Sequence, residues 1–400
     1  MVILKKIRVG VIFGGRSGEH EISLISAESV IRALNKDKYD VLPIGITREG
    51  RWLIGGDPLA QLKEASYTPK ELMAGEATGN RGIRESGNQG ISQGTLPSQE
   101  LVPLAGNAAL LKGRSPLAEV DVVFPVLHGP YGEDGTVQGL LELANLPYVG
   151  AGVTASALGM DKALQKTIFR QKGIPVLDFV VVKRRDWERE PEAVLARAEA
   201  ALGYPCFVKP VNLGSSVGIS KAHHRQELRA ALDIAARYDR RLLVEQSAED
   251  CREIEVSVLG NDDPIASIPG EIVPHREFYD YIAKYVDEET ELKIPADLPP
   301  PVVERVRELG VRAFLAIDCA GMARVDLFVA RDYSRIYVNE LNTIPGFTTI
   351  SMYPKLWEAS GLPYPELLDR LIELALERHA DKSRSQITYR GEQGQQDSQE

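Results

Sequence analysis

The chain has few cysteines, no basic tract and no long apolar run, and each absence excludes a class of protein. Its three cysteines, Cys206, Cys251 and Cys319, are far apart and form no CxxC pair, so neither a disulfide framework nor a zinc knuckle is indicated. Lys and Arg number 47 against 57 Asp and Glu, a net charge of -10, which argues against non-specific nucleic-acid binding. No stretch approaches the roughly 18 apolar residues of a membrane span, and the amino terminus has no signal-length apolar run. We therefore expect a cytoplasmic protein with no nucleic-acid or membrane partner.

The length of 400 residues and the 44% apolar content suffice for two or three domains, at about 150 residues each. The first apolar run stops at Gly14 and Gly15 and is followed by helical apolar spacing, which is the order strand, turn, helix. The stretch 75–116 is glycine-rich and lacks aromatic residues, which predicts a poorly packed surface insertion. A single helix is predicted over 154–173, ending before Pro175.

The most informative pattern is a pair of alternating runs, RVDLFVA and RIYVNELN, separated by four polar residues. In an antiparallel hairpin centred on Tyr333, Asp326 lies opposite Glu340, and Arg324 lies opposite Asn342. Facing carboxylates repel each other, and the arrangement makes sense where a hard cation such as Mg²⁺ lies between them. The alternative is a solvated strand face with scattered charges, and alternation does not decide between the two.

A Gly/Ser-rich loop follows a predicted strand in FVKPVNLGSSVGISK, where the strand delivers Lys209. Such loops present backbone N–H groups to phosphates, although the Walker A pattern GxxxxGK[ST] occurs nowhere in the chain. The loop also contains GxSxG centred on Ser216, so a serine hydrolase is an alternative. A nucleophile elbow needs a strand running into the serine and a helix directly after it, whereas Pro210 and further loop residues intervene here. A flexible loop without a ligand is the third interpretation.

Two polar turns follow apolar strands. In HGPYGEDGTVQG, a strand is predicted to end at His128 and a helix to open near Thr136, which is the usual position of a ligand crevice in open α/β sheets. The alternatives are a satisfied buried histidine and helix capping by Glu133 and Asp134. In GGRSGEHE the dinucleotide pattern GxGxxG is absent, and Glu19 is either a ligand-binding group or a helix-start charge.

The segment EFYDYIAKYVDEET, 277–290, crowds aromatic and acidic residues into a predicted loop. Solvent-exposed loops rarely hold four aromatic side chains so close together. The pattern predicts a lid that folds over an active site or, alternatively, a satellite cluster packed on the surface.

Together these segments resemble the D-alanine-D-alanine ligase family of the ATP-grasp superfamily. The resemblance covers nearly the whole chain except 70–116 and the tail, and it is carried by GGRSGEHEISL, HGPYGEDGTVQG, MDKALQK, VKPVNLGSSVGISK, EFYDYIAKY, ARVDLF and NELNTIPGFT. It implies an α/β fold, α+β overall, with an open parallel-sheet domain over 1–150 that binds substrate. Two ATP-grasp subdomains would follow over 151–246 and 247–380, before a disordered tail over 381–400.

The resemblance also implies a role for individual residues. The ATP-binding residues would be Lys162, Lys209, Glu245, Glu253 and Lys284. The ligands of magnesium, as two ions that manganese can replace, would be Asp326, Glu340 and Asn342. The catalytic residues would be Glu19, Ser215, Tyr285, Arg324 and Gly346. The residues that bind the amino-acid substrates would be His128 and Ser351.

The implied reaction joins two D-alanines at the expense of ATP, through an acyl phosphate, for peptidoglycan precursor synthesis by a homodimer. Tyr285 matches the tyrosine of amine-using family members, whereas relatives that make D-alanyl-D-lactate have Phe there or a different loop. D-alanine is therefore the expected second substrate. The competing interpretations are a D-lactate or D-serine ligase, a serine hydrolase using Ser216, and a non-catalytic nucleotide-binding regulator.

Overall fold

The computed structural model describes residues 5–66, 99–101, 120–214, 216–273 and 291–386, with the backbone alone for 99–101. These residues form three sheets with helices packed against them. Within these ranges, no helix combines the length and the apolar content needed to cross a bilayer.

The first sheet is mostly parallel and has the strand order β4-β3-β2-β1-β5. Its strands are β1 (Ile7–Gly14), β2 (Tyr39–Ile46), β3 (Trp52–Ile54), β4 (Gln99–Leu101) and β5 (Val122–Val126). Its helices are α1 (His20–Ala33), α2 (Pro58–Glu64) and α3 (Thr136–Leu143). β1 pairs in parallel with β2 and β5, whereas β3 and β4 add an antiparallel edge. β4 lies within the predicted insertion, so part of that segment extends the sheet.

The predicted single helix over 154–173 is wrong, because the chain forms two helices there. They are α4 (Val153–Met160) and α5 (Lys162–Gln171), and they are separated at Asp161, which has an extended backbone. The Asp161 carboxylate accepts a hydrogen bond from the Leu164 N–H at 2.9 Å. Aspartate is a strong helix N-cap because its side chain satisfies an amide that the helix leaves without a partner, and this bond caps the start of α5.

The second sheet is antiparallel and has the order β6-β9-β7-β8, and its β7 is the predicted strand that delivers Lys209. Its strands are β6 (Phe179–Lys183), β7 (Cys206–Pro210), β8 (Ser220–Ala222) and β9 (Arg241–Gln246). The accompanying helices are α6 (Arg184–Arg189), α7 (Pro191–Leu202) and α8 (Arg225–Tyr238). α7 and α8 cover one face and share a buried apolar core with it, which leaves the other face for the candidate site.

The third sheet is antiparallel and has the order β13-β12-β10-β14-β15, with β11 beside β10. Its strands are β10 (Cys251–Gly260), β11 (Ile265–Ala266), β12 (Gly270–Val273), β13 (Glu291–Lys293), β14 (Gly321–Ala330) and β15 (Ile336–Asn342). The helices that follow in the chain are α9 (Pro300–Ala316), α10 (Met352–Ala359) and α11 (Tyr364–Lys382). α9 packs on β10 and β14 through buried apolar side chains.

The loop before α10 and helix α11 pack back on the first sheet. Phe124 of β5, Phe347 and Leu371 of α11 belong to one buried cluster, and the rings of Phe124 and Phe347 meet edge to face with centroids 5.7 Å apart. Aromatic pairs of this geometry stabilise beyond the area they bury. The loop before α10 is therefore held against the carboxyl end of β5, where the first sheet and the third sheet meet.

Candidate active site

The β14–β15 hairpin has the predicted register at its polar end. Arg324 pairs with Asn342 and Asp326 pairs with Glu340. On the turn side the pairing is offset by one residue, because β15 has a bulge opposite the step from Asp326 to Leu327 of β14. The extra residue on β15 is Asn339. A one-residue shift moves a side chain to the opposite face of a strand, so Glu340 faces Asp326 only because of this bulge. The facing pair was predicted correctly, whereas the bulge was not predicted.

Arg324 holds the centre of this face. Its Nε and Nη2 donate to the two carboxylate oxygens of Asp326, each at 2.7 Å, and Nε lies 3.1 Å from Glu255 Oε2. The Asn342 amide donates to Asp326 Oδ2 at 3.1 Å. Burial works against the charge on Arg324, but Asp326 and Glu255 outweigh it and hold the guanidinium pKa well above its usual value. Bidentate arginine–carboxylate pairs fix geometry as well as charge.

The oxygen donors on this hairpin suit a hard divalent cation. Among the residues that the structure describes, no group of three or more His, Cys, Asp or Glu side chains is arranged to hold a metal. The candidate donors are two carboxylates, Asp326 and Glu340, and one amide, Asn342, on two pairs of one ladder that are separated by the Val325–Leu341 pair. Magnesium commonly takes one or two carboxylates and completes its octahedron with water and phosphate oxygens. The donor set therefore fits magnesium bound together with a phosphorylated ligand.

The second sheet supplies a buried ionic cluster of opposite character. Glu245 of β9 lies 2.7 Å from Lys209 Nζ and 2.5 Å from Lys166 Nζ, and all three residues are buried. Burial raises the pKa of Glu245, but the two ammonium groups outweigh it and the pKa falls below its usual value. Burial lowers the pKa of Lys166, whereas for Lys209 the neighbouring Glu245 outweighs burial and the pKa is raised. Lys209 is therefore the firmer cation of the pair, and it is the one that lines the cavity where an anionic ligand would bind.

Lys166 is absent from the predicted site residues, although the MDKALQK motif contains it. The available signal was its spacing from Lys162, because residues four apart lie on the same face of a helix. Lys162 Nζ donates to the Leu213 carbonyl at 2.9 Å and lies 3.5 Å from Glu340 Oε2. The first turns of α5 thus face both sheets.

A cavity of about 410 Å³ lies between the second and third sheets. The predicted ATP-binding residues that line it are Lys209, Glu245 and Glu253, and the predicted metal ligands that line it are Asp326 and Glu340. Residues separated by more than a hundred positions in the chain meet here. Basic groups on one side and oxygen donors on the other are the pairing that a nucleotide with its divalent cation needs.

A second group of predicted residues lies at the carboxyl end of the first sheet. His128 is buried, with Nε2 3.2 Å from Ser26 Oγ and Nδ1 3.2 Å from the Ile344 carbonyl. Burial lowers the pKa of His128, so the ring is neutral at pH 7. The satisfied buried histidine that the sequence left open is thus observed, and it joins the first sheet to the loop before α10.

Glu19 and Glu133 complete this group. A Cβ atom at either Gly129 or Gly214 would lie 2.8 Å from Glu19 Oε2, so both glycines permit close approach of that carboxylate. Glu133 accepts a hydrogen bond from the Gly129 N–H at 2.7 Å, and burial followed by the charge of Glu19 raises its pKa to about 8. Glu133 was predicted only as a helix-capping group, whereas it is a half-buried acid whose pKa responds to the charge of Glu19.

The loop before α10 contains the last two predicted residues. A Cβ atom at Gly346 would lie 2.6 Å from Ser351 Oγ, so only glycine fits there without displacement. Ser351 Oγ accepts a hydrogen bond from the Thr348 N–H at 3.0 Å. Because His128 contacts the Ile344 carbonyl, this loop borders the acidic group.

Several predicted features fall outside the described residues, namely Ser215, Lys284, Tyr285 and the 277–290 lid. Ser216 is described and has a φ of 57°. The loop containing it leads into strand β8 rather than into a helix. A nucleophile elbow requires a helix immediately after the serine, so the hydrolase alternative is not supported.

Comparisons with known proteins agree with this geometry. Residues 8–151 match the D-ala D-ala ligase N-terminus and residues 168–373 match the D-ala D-ala ligase C-terminus. The D-alanine–D-alanine ligase of Acetivibrio thermocellus is 49% identical over 379 residues, which cover 94% of this chain and 97% of the relative.

Solved structures of the same kind superpose on the chain. The D-alanine-D-alanine ligase from Coxiella burnetii has a TM-score of 0.75 and 40% identity, and the match covers 95% of this chain and 97% of that one. The VanG D-Ala:D-Ser ligase from Enterococcus faecalis has a TM-score of 0.73 and 35% identity, and the match covers 93% and 100%. The predicted α/β class and ATP-grasp architecture are confirmed. Two family matches in chain order and relatives that cover the chain nearly end to end show that it belongs to the D-ala D-ala ligase family.

Proposed function

We propose that this protein joins two D-alanine molecules in an ATP-dependent reaction that yields D-alanyl-D-alanine, ADP and phosphate. The observation that carries the proposal is the convergence of Lys209 and Glu245 with Asp326 and Glu340 on one cavity of about 410 Å³. Cationic groups for phosphates then lie across from oxygen donors for a divalent cation. Family membership and the activity for which the relatives are named support the choice of reaction.

In this proposal the nucleotide lies between the second and third sheets. Lys162 and Lys209 neutralise its phosphates, Glu253 contacts the ribose, and Glu245 on β9 belongs to the adenine-binding strand while it orients Lys209. Lys284 reaches the phosphate from the 277–290 segment. Each lysine lowers the charge on the phosphates, which otherwise repels an attacking carboxylate.

The magnesium ligands would be Asp326, Glu340 and Asn342, for two ions that manganese can replace. Bound there, the metal supplies charge neutralisation for the transferred phosphoryl group. The chain's own contribution is to hold the donors apart and aligned, through the Arg324–Asp326 bidentate pair and the Lys162–Glu340 ion pair.

The first step is a phosphoryl transfer to the first D-alanine. A carboxylate oxygen attacks the γ-phosphorus, the bond from that phosphorus to the bridging oxygen breaks, and ADP leaves with the electron pair. Glu19 holds the substrate ammonium, and neutral His128 contributes no competing positive charge beside it. Closure of the 277–290 segment would keep water from the acyl phosphate.

The second step forms the peptide bond. The amine of the second D-alanine, having lost a proton, attacks the acyl carbon, and the Arg324 guanidinium and the Gly346 N–H stabilise the resulting oxyanion. Collapse breaks the carbon–oxygen bond, phosphate leaves with the electron pair, and the nitrogen loses its extra proton to the departing phosphate, which leaves the amide. Ser351 binds the carboxylate of this second substrate, and Ser215 and Tyr285 position its amine.

The test of this function is phosphate release with D-alanine as the only amino acid, with and without magnesium, followed by identification of the product. We expect release that requires both D-alanine and magnesium and yields D-alanyl-D-alanine. Release that continues without D-alanine, or an equal yield with D-lactate or D-serine as acceptor, contradicts the proposal. Arg324→Ala should abolish turnover, whereas a nucleotide-binding regulator would tolerate it.

Acceptor choice is proposed to depend on Tyr285, and Tyr285→Phe tests it. Loss of the hydroxyl removes a hydrogen bond that favours an amine over a hydroxyl nucleophile. We expect D-lactate use to rise relative to D-alanine use, measured as the ratio of the two kcat/KM values. An unchanged ratio would rule out this role.

Cellular context and assembly are proposed from the family alone. We infer a homodimer that works in the cytoplasm in peptidoglycan precursor synthesis, with the domain division at 150 and 246 given above. Sedimentation velocity at two protein concentrations checks the dimer, and a sedimentation coefficient for the monomer at both concentrations would contradict it.

A further inference from the structure

The edge of the third sheet is held by a helix rather than by another strand. β15 is the last strand of that sheet, and Gln165 of α5 pairs with it at Leu341. Gln165 Nε2 donates to the Leu341 carbonyl at 3.0 Å, and the Leu341 N–H donates to Gln165 Oε1 at 3.1 Å. The buried side-chain amide thus replaces the missing neighbouring strand at this residue.

The next residue of α5 contacts the bulge itself. Lys166 Nζ donates to the Asn339 carbonyl at 2.6 Å, and Asn339 is the extra residue that puts Glu340 opposite Asp326. A bulge removes one residue from the ladder and leaves its backbone groups in need of partners. Lys166 supplies that partner from a side chain that is only 1% exposed.

The same ammonium also belongs to the opposite wall of the cavity. Lys166 Nζ lies 2.5 Å from Glu245 Oε1, while Glu245 Oε2 lies 2.7 Å from Lys209 Nζ. A continuous chain of polar contacts therefore runs from Lys209 through Glu245 and Lys166 to the carbonyl of Asn339. Its two ends are the proposed phosphate-binding lysine and the residue before a proposed metal ligand.

We propose that Lys166, assisted by Gln165, is a positioning residue that holds the bulge at Asn339, keeps Glu340 opposite Asp326, and couples the metal ligands to Lys209. The proposal rests on the proposed function. A direct substrate contact by Lys166 is not part of the proposal, because its side chain is only 1% exposed and its Nζ contacts Glu245 and Asn339 within the protein. Lys166 would act by orienting the metal ligand Glu340 without touching the metal itself. Substitution of residues that orient metal ligands in this way typically lowers metal affinity or activity by about 10- to 100-fold.

The test uses Lys166→Met, Gln165→Met and the control Lys172→Met on the exposed end of α5. Lys166→Met keeps the apolar stem and leaves Glu245 paired with Lys209. We call the contacts of Gln165 and Lys166 with β15 the clamp. Gln165→Met removes the hydrogen bonds to Leu341 and leaves no buried charge without a partner, so it remains informative if Lys166→Met fails to fold. Hydrogen exchange over 336–342 in the ligand-free protein and calorimetric ADP affinity, with and without magnesium, are measured for each variant.

We expect the Leu341 amide to exchange at least about tenfold faster in both clamp variants. ADP affinity in magnesium should weaken by about 10- to 100-fold in Lys166→Met, with a smaller change without magnesium. The KM for ATP should rise while the KM for D-alanine stays within about twofold of wild type. Lys172→Met should match wild type throughout.

The coupling is overturned if Lys166→Met folds and keeps wild-type hydrogen exchange and wild-type ADP affinity in magnesium. If Lys166→Met does not fold, wild-type values of both quantities in Gln165→Met overturn it. A lower melting temperature with unchanged ADP affinity in magnesium shows a purely structural ion pair and also overturns it. Failure of the wild type to turn over D-alanine overturns the proposed function instead. The exchange and ADP measurements do not use turnover, so they still decide the coupling.

Discussion

Two ionic clusters in this molecule have opposite compositions, one mainly basic and one mainly acidic. The nucleotide-side cluster, Lys166, Lys209 and Glu245, has two ammonium groups around one carboxylate. The amino-acid-side cluster, Glu19, His128 and Glu133, has two carboxyl groups beside a buried imidazole whose pKa is lowered by burial. The first is rich in basic groups, and the second is rich in acidic groups, one of which, Glu133, has a raised pKa.

The difference shows how each cluster is matched to a ligand. Burying charge is costly unless the charge is paired. Without a ligand, each cluster therefore costs least when its own acidic and basic groups neutralise one another. Phosphate would complete the compensation of the nucleotide-side cluster, and a substrate ammonium would complete that of the amino-acid-side cluster. In the absence of ligand, Glu133 meets the same demand by keeping a proton near neutral pH, since its pKa is about 8.

The largest expected effect comes from breaking the nucleotide-side cluster with Lys209→Met. Glu245 keeps Lys166 as a partner, so the fold should survive, while the phosphates lose a preorganised cation. We expect kcat/KM for ATP to fall by about 10²- to 10³-fold, comparable with the loss of one preorganised electrostatic donor. The measurement is steady-state kinetics with varied ATP. Lys183→Met, on an exposed lysine of the same sheet, should have no such effect, and an equal loss there would contradict the assignment.

An intermediate effect is expected from Glu19→Gln in the amino-acid-side cluster. The neutral amide removes the charge that attracts the substrate ammonium, and a hydrogen bond to a charged group contributes about 1.5–3 kcal/mol. The KM for D-alanine should rise by about 10- to 100-fold, with the KM for ATP little changed. If the KM for ATP rises equally, the two clusters do not divide the ligands as proposed.

The smallest expected effect is a change in the pH dependence of stability in Glu133→Gln, a variant of the amino-acid-side cluster. The folded-state pKa of about 8 lies above the ordinary glutamate value of 4.5. Between these pH values the folded protein keeps a proton that the unfolded chain releases, so the wild type loses stability as pH rises through this window.

The glutamine variant lacks this titration, and its thermal midpoint should fall less than that of wild type between pH 5 and pH 8. Each kcal/mol of difference in the free energy of unfolding between the two proteins should shift the thermal midpoint by about 2–4 °C. Scanning calorimetry at several pH values measures it. His128 titrates in both proteins and cancels in the comparison, so parallel profiles would show that Glu133 is not held protonated.

The hairpin shows how far local pattern leads. Alternation and the facing pair Asp326 and Glu340 were readable from the sequence, and the register of that pair is confirmed. The bulge at Asn339 was not readable, because the contact that satisfies its carbonyl comes from Lys166, 173 residues away. The break at Asp161 was missed for a different reason. Its cap is a local hydrogen bond from the Leu164 N–H, but apolar periodicity continues on both sides of Asp161 and predicted one continuous helix.

Sequence alone determined the family, the fold class and the chemical types of the site residues, because these depend on motif order and on side-chain identity. Tertiary structure decided which charges compensate which. The pairing of Glu245 with both Lys166 and Lys209, the clamp on β15, and the raised pKa of Glu133 all depend on burial and on distances between segments far apart in the chain. Electrostatic energies vary steeply with separation and desolvation, and only the packed molecule sets either quantity.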